Sequence, residues 1–183
     1  MKKIFLATFL LLTGIVVFSQ GRVFTKSGKI SFFSKAPLED IEAHNKAAVS
    51  VLDINSGQLE FSVLLKGFQF EKALMQEHFN ENYLESDKFP KAVFKGKLNE
   101  ITSVNFTRDG KYKVSVGGML TMHGETKPIT APGIISIQNG KISSVADFSI
   151  VLNEYRIQVP AIVKDKIANS IKIMVSCNYE PMN

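Results

Sequence analysis

The side chains best able to do chemistry in this chain gather in two stretches, each built around a histidine. The first, "EHFNENYLESDKFP" from Glu77 to Pro90, brings His78, Glu77, Glu81, Glu85 and Asp87 together beside Phe79 and Tyr83. His78 and Glu81 are three residues apart, so a helix would set an imidazole and a carboxylate on one face, which is part of a metal site. The rest of such a site is not in the pattern. A second imidazole would have to come from His44 or His123, both distant, and no His-x-His or Cys-x-x-Cys spacing occurs. Without a metal, Glu77, Glu81 and Glu85 read as the solvated side of a helix, and His78 as a residue hydrogen-bonded within its own domain. The second stretch, "GGMLTMHGETKPIT" from Gly117 to Thr130, reads as a strand that turns at Gly124 and restarts in a segment stiffened by Pro128. His123 would there either contact a ligand or order its own turn.

Other routes to catalysis are also incomplete. There is no G-x-S-x-G elbow for a serine nucleophile. Cys177 stands alone and fits a small apolar residue on a buried strand face. Asp53, Glu125, Asp147 and Glu154 could act as acid and base only if the fold brought them together, which their spacing does not dictate. An enzyme using His78, His123 and nearby carboxylates stays open as an alternative to a binding protein.

The elements around these residues are mainly strands, because apolar residues recur with a period of two. One face collects Leu59, Phe61, Val63 and Leu65, then Ala92, Phe94 and Leu98, and then Tyr112, Val114 and Val116. It continues through Ala146, Phe148, Ile150 and Leu152 to Ile171, Ile173, Val175, Cys177 and Tyr179. Asn55-Ser56-Gly57, Arg108-Asp109-Gly110 and Gln138-Asn139-Gly140 supply the turn chemistry of hairpins. Two segments leave this rhythm. Glu71 to about Leu84 has apolar residues four apart, as on a helix, and "PAIVKDKIANS" places Ile162, Val163, Lys166 and Ile167 at the spacing of a short helix.

Many strands, few helices and no disulfide partner for Cys177 predict an all-β fold: an antiparallel barrel of about eight strands with one or two short helices. Such a barrel either fills its interior or holds one small ligand. Phe61, Val63, Leu65, Phe94, Tyr112, Val114, Val116, Phe148 and Ile150 are accordingly either lumen-lining contacts or a closed core.

At 183 residues the chain suits one domain. "MKKIFLATFLLLTGIVVFSQ", residues 1–20, has the layout of a signal peptide, with Lys2 and Lys3 ahead of an apolar run and a cleavage site around Val17-Phe18-Ser19. Its apolar run is shorter than the roughly 20 residues of a membrane span. Residues 21–183 would then form the mature domain, periplasmic or secreted, with no membrane span. The formal charge of +5 includes the two leader lysines, and no basic cluster points to nucleic acid.

Taken together, "ALMQEHFNENYLESDKFPKAVFKGKL" and "GGMLTMHGETKPIT" closely resemble the signature regions of the YceI-like family. The resemblance runs over essentially the whole of the expected mature chain. His78-Phe79 matches the family's His-Leu pair, and Phe89-Pro90 with Phe94 matches the start of the following strand. Leu120-Thr121, His123-Gly124 and Thr126-Lys127-Pro128 match the turn "LT-x-HG-x-TK-P". Met75-Gln76 departs from the Arg-Asp of many members, and the form "EHFNENYLES" is similar to a variant in Bacteroidetes members. The resemblance implies a lipocalin-like barrel, export, and a lumen for an apolar ligand such as a polyisoprenoid or a quinone-like lipid. It implies neither catalysis nor a cofactor. A ligand-free interaction module and a homodimer remain open.

Overall fold

The computed structural model describes residues 21–182. The expected leader, residues 1–20, lies outside them. Nine strands follow in order: β1 (Arg22–Lys35), β2 (Asp40–Asp53), β3 (Gln58–Leu64), β4 (Gln69–Phe70), β5 (Lys91–Leu98), β6 (Gly110–Met122), β7 (Glu125–Gln138), β8 (Lys141–Val151) and β9 (Ser170–Pro181). All pairings are antiparallel, in the order β1-β9-β8-β7-β6-β5-β3-β2, and β2 pairs back onto β1. Eight strands therefore close a barrel, and the two-residue β4 adds onto β2. Closure removes the free edges that an open sheet would expose.

The alternation of apolar residues sets which face turns inward, and it survives in β1 and β2 only by means of bulges. Thr25 pairs with Ser50, Gly28 with Ala48 and Ile30 with Asn45, so each strand carries one extra residue in turn. Lys26 and Ser27 on β1, and Lys46 and Ala47 on β2, are exposed there. The Asn45 side chain holds the bulge, accepting from the Ala47 N–H at 2.9 Å and donating to the Leu64 carbonyl at 3.0 Å.

The connections divide by end. At one end the links are short or folded inward: residues 54–57, the turn at Asn139-Gly140, and residues 99–109. Asn139 and Gly140 have φ of 51° and 72°, the pair of left-handed residues that a tight hairpin turn requires. Arg108-Asp109-Gly110 is not a hairpin turn; it ends the connection 99–109, and Asp109 accepts from the Asn139 N–H at 3.0 Å. The other end carries the hairpin 36–39, the excursion 65–90, the turn at His123-Gly124 and the connection 152–169.

The helix expected over Glu71–Leu84 is shorter and of two kinds. α1 spans Ala73–His78 and continues as a π-turn over Phe79–Tyr83, closed by the Leu84 N–H on the Phe79 carbonyl at 2.9 Å. The wider turn ends the four-residue spacing. Glu85 then takes a left-handed φ of 44° and leaves the helical path. In "PAIVKDKIANS" only a 3-10 turn forms, Ala161–Val163, and the expected second helix is absent; Pro160 precedes it and too few backbone bonds follow to propagate a helix.

Candidate ligand-binding site

The barrel encloses a cavity of about 570 Å³, within the range of small-molecule sites. Side-chain size explains where the space comes from. The inner faces of β7 and β8 carry Ala131, Gly133, Ser144 and Ala146, while Phe61, Phe94 and Phe148 project from β3, β5 and β8. Phe61 and Phe94 are neighbours in the β3–β5 ladder, and the small residues of β7 and β8 leave space beside the rings.

Two packed clusters bound this space. At the end with short links, Val23, Leu98, Val104 and Ile137 pack with the partly buried Ile101 and Phe106 of the connection 99–109 and close the barrel. At the opposite end, Phe68, Leu84, Leu152 and Ile157 pack with the rings of Phe32, Phe70 and Phe79, whose centroids stand 5.1–5.7 Å apart. Polar wall groups occur at this second end, among them Glu39, Lys72, His78 and Lys166. Lys72 bonds Glu39 at 2.9 Å, tying the start of α1 to the hairpin 36–39 across the rim. The excursion 65–90 thus borders the mouth of the lumen, with Glu77, Glu81 and Asp87 exposed to solvent.

Of the nine residues expected on the ligand face, Phe61, Val63, Leu65, Phe94, Val114, Val116, Phe148 and Ile150 line this cavity. Tyr112 does not. It shares their face but lies beyond the floor, packed against the closing cluster, and its hydroxyl donates to the Arg108 carbonyl at 2.9 Å. Alternation identifies a face, whereas depth along the barrel decides whether that face meets cavity or core. Several wall residues were not selected from the sequence: Ile30, Phe32 and Ile41 on the bulged β1 and β2, and Ile129 and Ala131 on β7. An out-of-step alternation at Lys26-Ser27 was the available signal for the first group. Pro128 and Pro132 mask the second.

The motif residues divide between wall and scaffold. His78, Phe79 and Leu120 line the cavity. The Nδ1 of His78 lies 2.9 Å from Asn82 Nδ2, and not against Glu81. His123 does more than order its turn. It has φ 51°, its side chain is 11% exposed, and it does not face the lumen. Its Nδ1 donates to the Tyr155 carbonyl at 2.9 Å, and its Nε2 lies 3.0 Å from Glu85 Oε2. Both ring nitrogens thus face oxygen atoms of other segments. His123 thereby joins the excursion 65–90 to the connection 152–169. Gly124, at φ 79°, has no room for a side chain, since a Cβ there would sit 2.8 Å from the Phe89 ring. Thr121 and Thr126 face each other across this turn with hydroxyls 2.8 Å apart, Lys127 pairs with Leu120, and the Pro90 carbonyl accepts from the Leu65 N–H.

The carboxylates do not converge. Asp53 binds Arg22, Glu125 binds Arg156 and Asp147 binds Lys172. The backbone and side chain of Ser56, with Arg22, hold the Asp53 carboxyl below its ordinary range. His44 sits on the outer wall, 2.7 Å from the Ser31 hydroxyl. Among the described residues, no three His, Cys, Asp or Glu side chains are placed to hold a metal ion.

The YceI-like domain family model matches residues 14–179. This chain belongs to the YceI-like family. Solved structures share its fold: a polyisoprenoid-binding domain from Saccharophagus degradans has a TM-score of 0.77 at 10% identity, covering 89% of this chain and 99% of that one. BcnA from Burkholderia cenocepacia has a TM-score of 0.66 at 16% identity, covering 84% and 96%. The Campylobacter jejuni YceI protein has a TM-score of 0.54 at 18% identity, covering 75% and 84%. A search of the curated proteins finds no match. No helix of this YceI-like barrel among the described residues is long and apolar enough to cross a membrane.

Proposed function

We propose that this YceI-like protein is exported and carries one long apolar molecule, a polyisoprenoid or a quinone-like lipid, in its lumen. The observation that carries the reading is the cavity of about 570 Å³, walled by Phe61, Val63, Leu65, Phe94, Val114, Val116, Phe148 and Ile150. Burying hydrocarbon there contributes about 25 cal/mol per Å² removed from water, less the cost of ordering the chain. Affinity of that origin needs no convergent charged groups, which accords with carboxylates spread over separate ion pairs. The polyisoprenoid-binding domain among the structural neighbours supports the ligand class, and the signal-peptide layout of residues 1–20 supports export.

Mass spectrometry of an organic extract tests it, using protein expressed with its leader in a bacterial host and washed without detergent. The expected result is a lipid at one equivalent per chain and a mature N-terminus near Ser19. An extract that stays empty after incubation with added isoprenoids and quinones would sink the carrier reading.

A further inference from the structure

The lumen is apolar along its length but ends on a small polar cluster. Ser144, Cys177 and Tyr179 line the floor, brought together because Ser144 pairs with Cys177 and Ile142 with Tyr179 in the β8–β9 ladder. Behind them the buried Ser50 hydroxyl donates to the Glu60 carbonyl at 3.2 Å. With its proton so placed, Ser50 accepts from the Tyr179 hydroxyl at 3.1 Å. Tyr179 is then anchored with its proton in use, and its oxygen is left to Ser144 and the neighbouring Cys177 thiol. Ser144 is held less well: its hydroxyl lies 3.5 Å from the Tyr179 oxygen, at the outer limit of a hydrogen bond. The Ser144–Tyr179 pair therefore offers the lumen one weakly engaged donor and one weakly engaged acceptor.

Among the described residues, no charged side chain lines this end; Glu39, Lys72 and Lys166 stand at the mouth. An ionised headgroup on the floor would lie buried without a counterion, which is costly. The Cys177 thiol, pushed up to about 11 by burial, is neutral as well. A carbonyl oxygen could accept from Ser144, and a hydroxyl could also donate to Tyr179, at no such cost.

We propose that the floor formed by Ser144 and Tyr179 is a recognition site for one small uncharged oxygen-bearing group, a carbonyl or a hydroxyl, at the end of an otherwise apolar molecule that enters polar end first. This rests on the carrier reading, but adds to it the orientation of the ligand and the exclusion of phosphate and carboxylate ends. The polar end lies buried at the closed end, and any length of chain that the lumen cannot hold leaves past Lys72 and Glu39.

Infrared difference spectroscopy of the mature protein with a decyl-benzoquinone tests it. The expected result is a carbonyl band lowered from that of the free quinone. In Ser144→Ala the band returns toward the free position and affinity falls about three- to tenfold, the range of one net hydrogen bond. Tyr179→Phe serves as a second variant, with its fold checked by circular dichroism because it also loses Ser50. In competition, decanol should displace the quinone well and decyl phosphate poorly. A bound quinone whose carbonyl band is the same in wild type and Ser144→Ala would overturn the inference and leave the carrier reading standing, as would equal displacement by the two competitors. A wild-type protein that binds neither quinone nor decanol would remove both.

Discussion

Phe94 shows how single residues shape this lumen. Its ring lies over two glycines: a Cβ at Gly96 would sit 2.5 Å from Phe94 Cζ, and one at Gly118 would sit 2.7 Å from it and 2.5 Å from the Gly96 Cα. Gly118→Ala should therefore destabilise the fold by about 1–3 kcal/mol, the usual cost of overpacking a site that cannot yield. An unchanged urea midpoint would show that the strands can give way there. Cys177 makes a different point. Burial is the main cause that raises its thiol, with bonds to Tyr179 and Ser144 opposing, to about 11 from an ordinary 9.0. The folded chain thus holds this proton more tightly than the unfolded one. The sign follows: the stabilisation is complete below about pH 9 and is lost as pH rises through 11. The stability advantage of wild type over Cys177→Ala should shrink by about 2 kcal/mol across that window. A difference that stays flat from pH 8 to 11 would argue that the thiol is accessible to water.

Among the elements, the join between β7 and β8 is the least regular part of the barrel. Their ladder begins at Gly133 and Ala146, so Glu125–Pro132 pair with β6 but not with β8. Pro128 and Pro132 explain the gap, because each lacks the N–H that a second ladder would use. Beside it pack the buried Leu152, Tyr155 and Ile157, held from outside by His123 on the Tyr155 carbonyl and Arg156 on Glu125. His123→Ala should therefore raise amide hydrogen exchange in residues 152–157 and 85–89, with little change in β1 and β2. Uniformly faster exchange would mean that His123 supports global stability and does not act as a local clasp. The sequence made β3, β5, β6, β8 and β9 legible, since each alternates without interruption. It hid the bulged β1 and β2, where one extra residue reverses the apparent phase, and β7, where two prolines argue against a strand with both neighbours paired. The π-turn after His78 was hidden for a related reason, because four-residue periodicity carries no sign of where a helix widens. His123 was legible as a motif residue, but its partners Glu85 and Tyr155 are set by tertiary packing and have no signature in local spacing.

At the scale of the molecule, the barrel is a tube closed at one end, with the long connections collected at the other. Phe61, Phe94 and Val175 pack against both bounding clusters, so they mark its waist. Anything that reaches the floor must pass them, and occupancy should be most sensitive to added bulk at that level. Ala146 faces the same space from β8, paired with Gly133, and a larger side chain there projects into volume the fold leaves open. Overpacking costs arise where there is no room, so Ala146→Phe should keep or raise the melting temperature while reducing bound lipid more than tenfold. Phe94→Arg should also abolish retention, by setting an unpaired charge in the apolar tube, but at a cost to stability. The two variants separate steric from electrostatic blockade, and both need a folded far-UV spectrum to count. If Ala146→Phe retained lipid at the wild-type stoichiometry while remaining folded, the ligand would have to lie outside the waist, among the mouth residues around Phe32, Phe70 and Phe79, and the tube below would be only a loosely packed core.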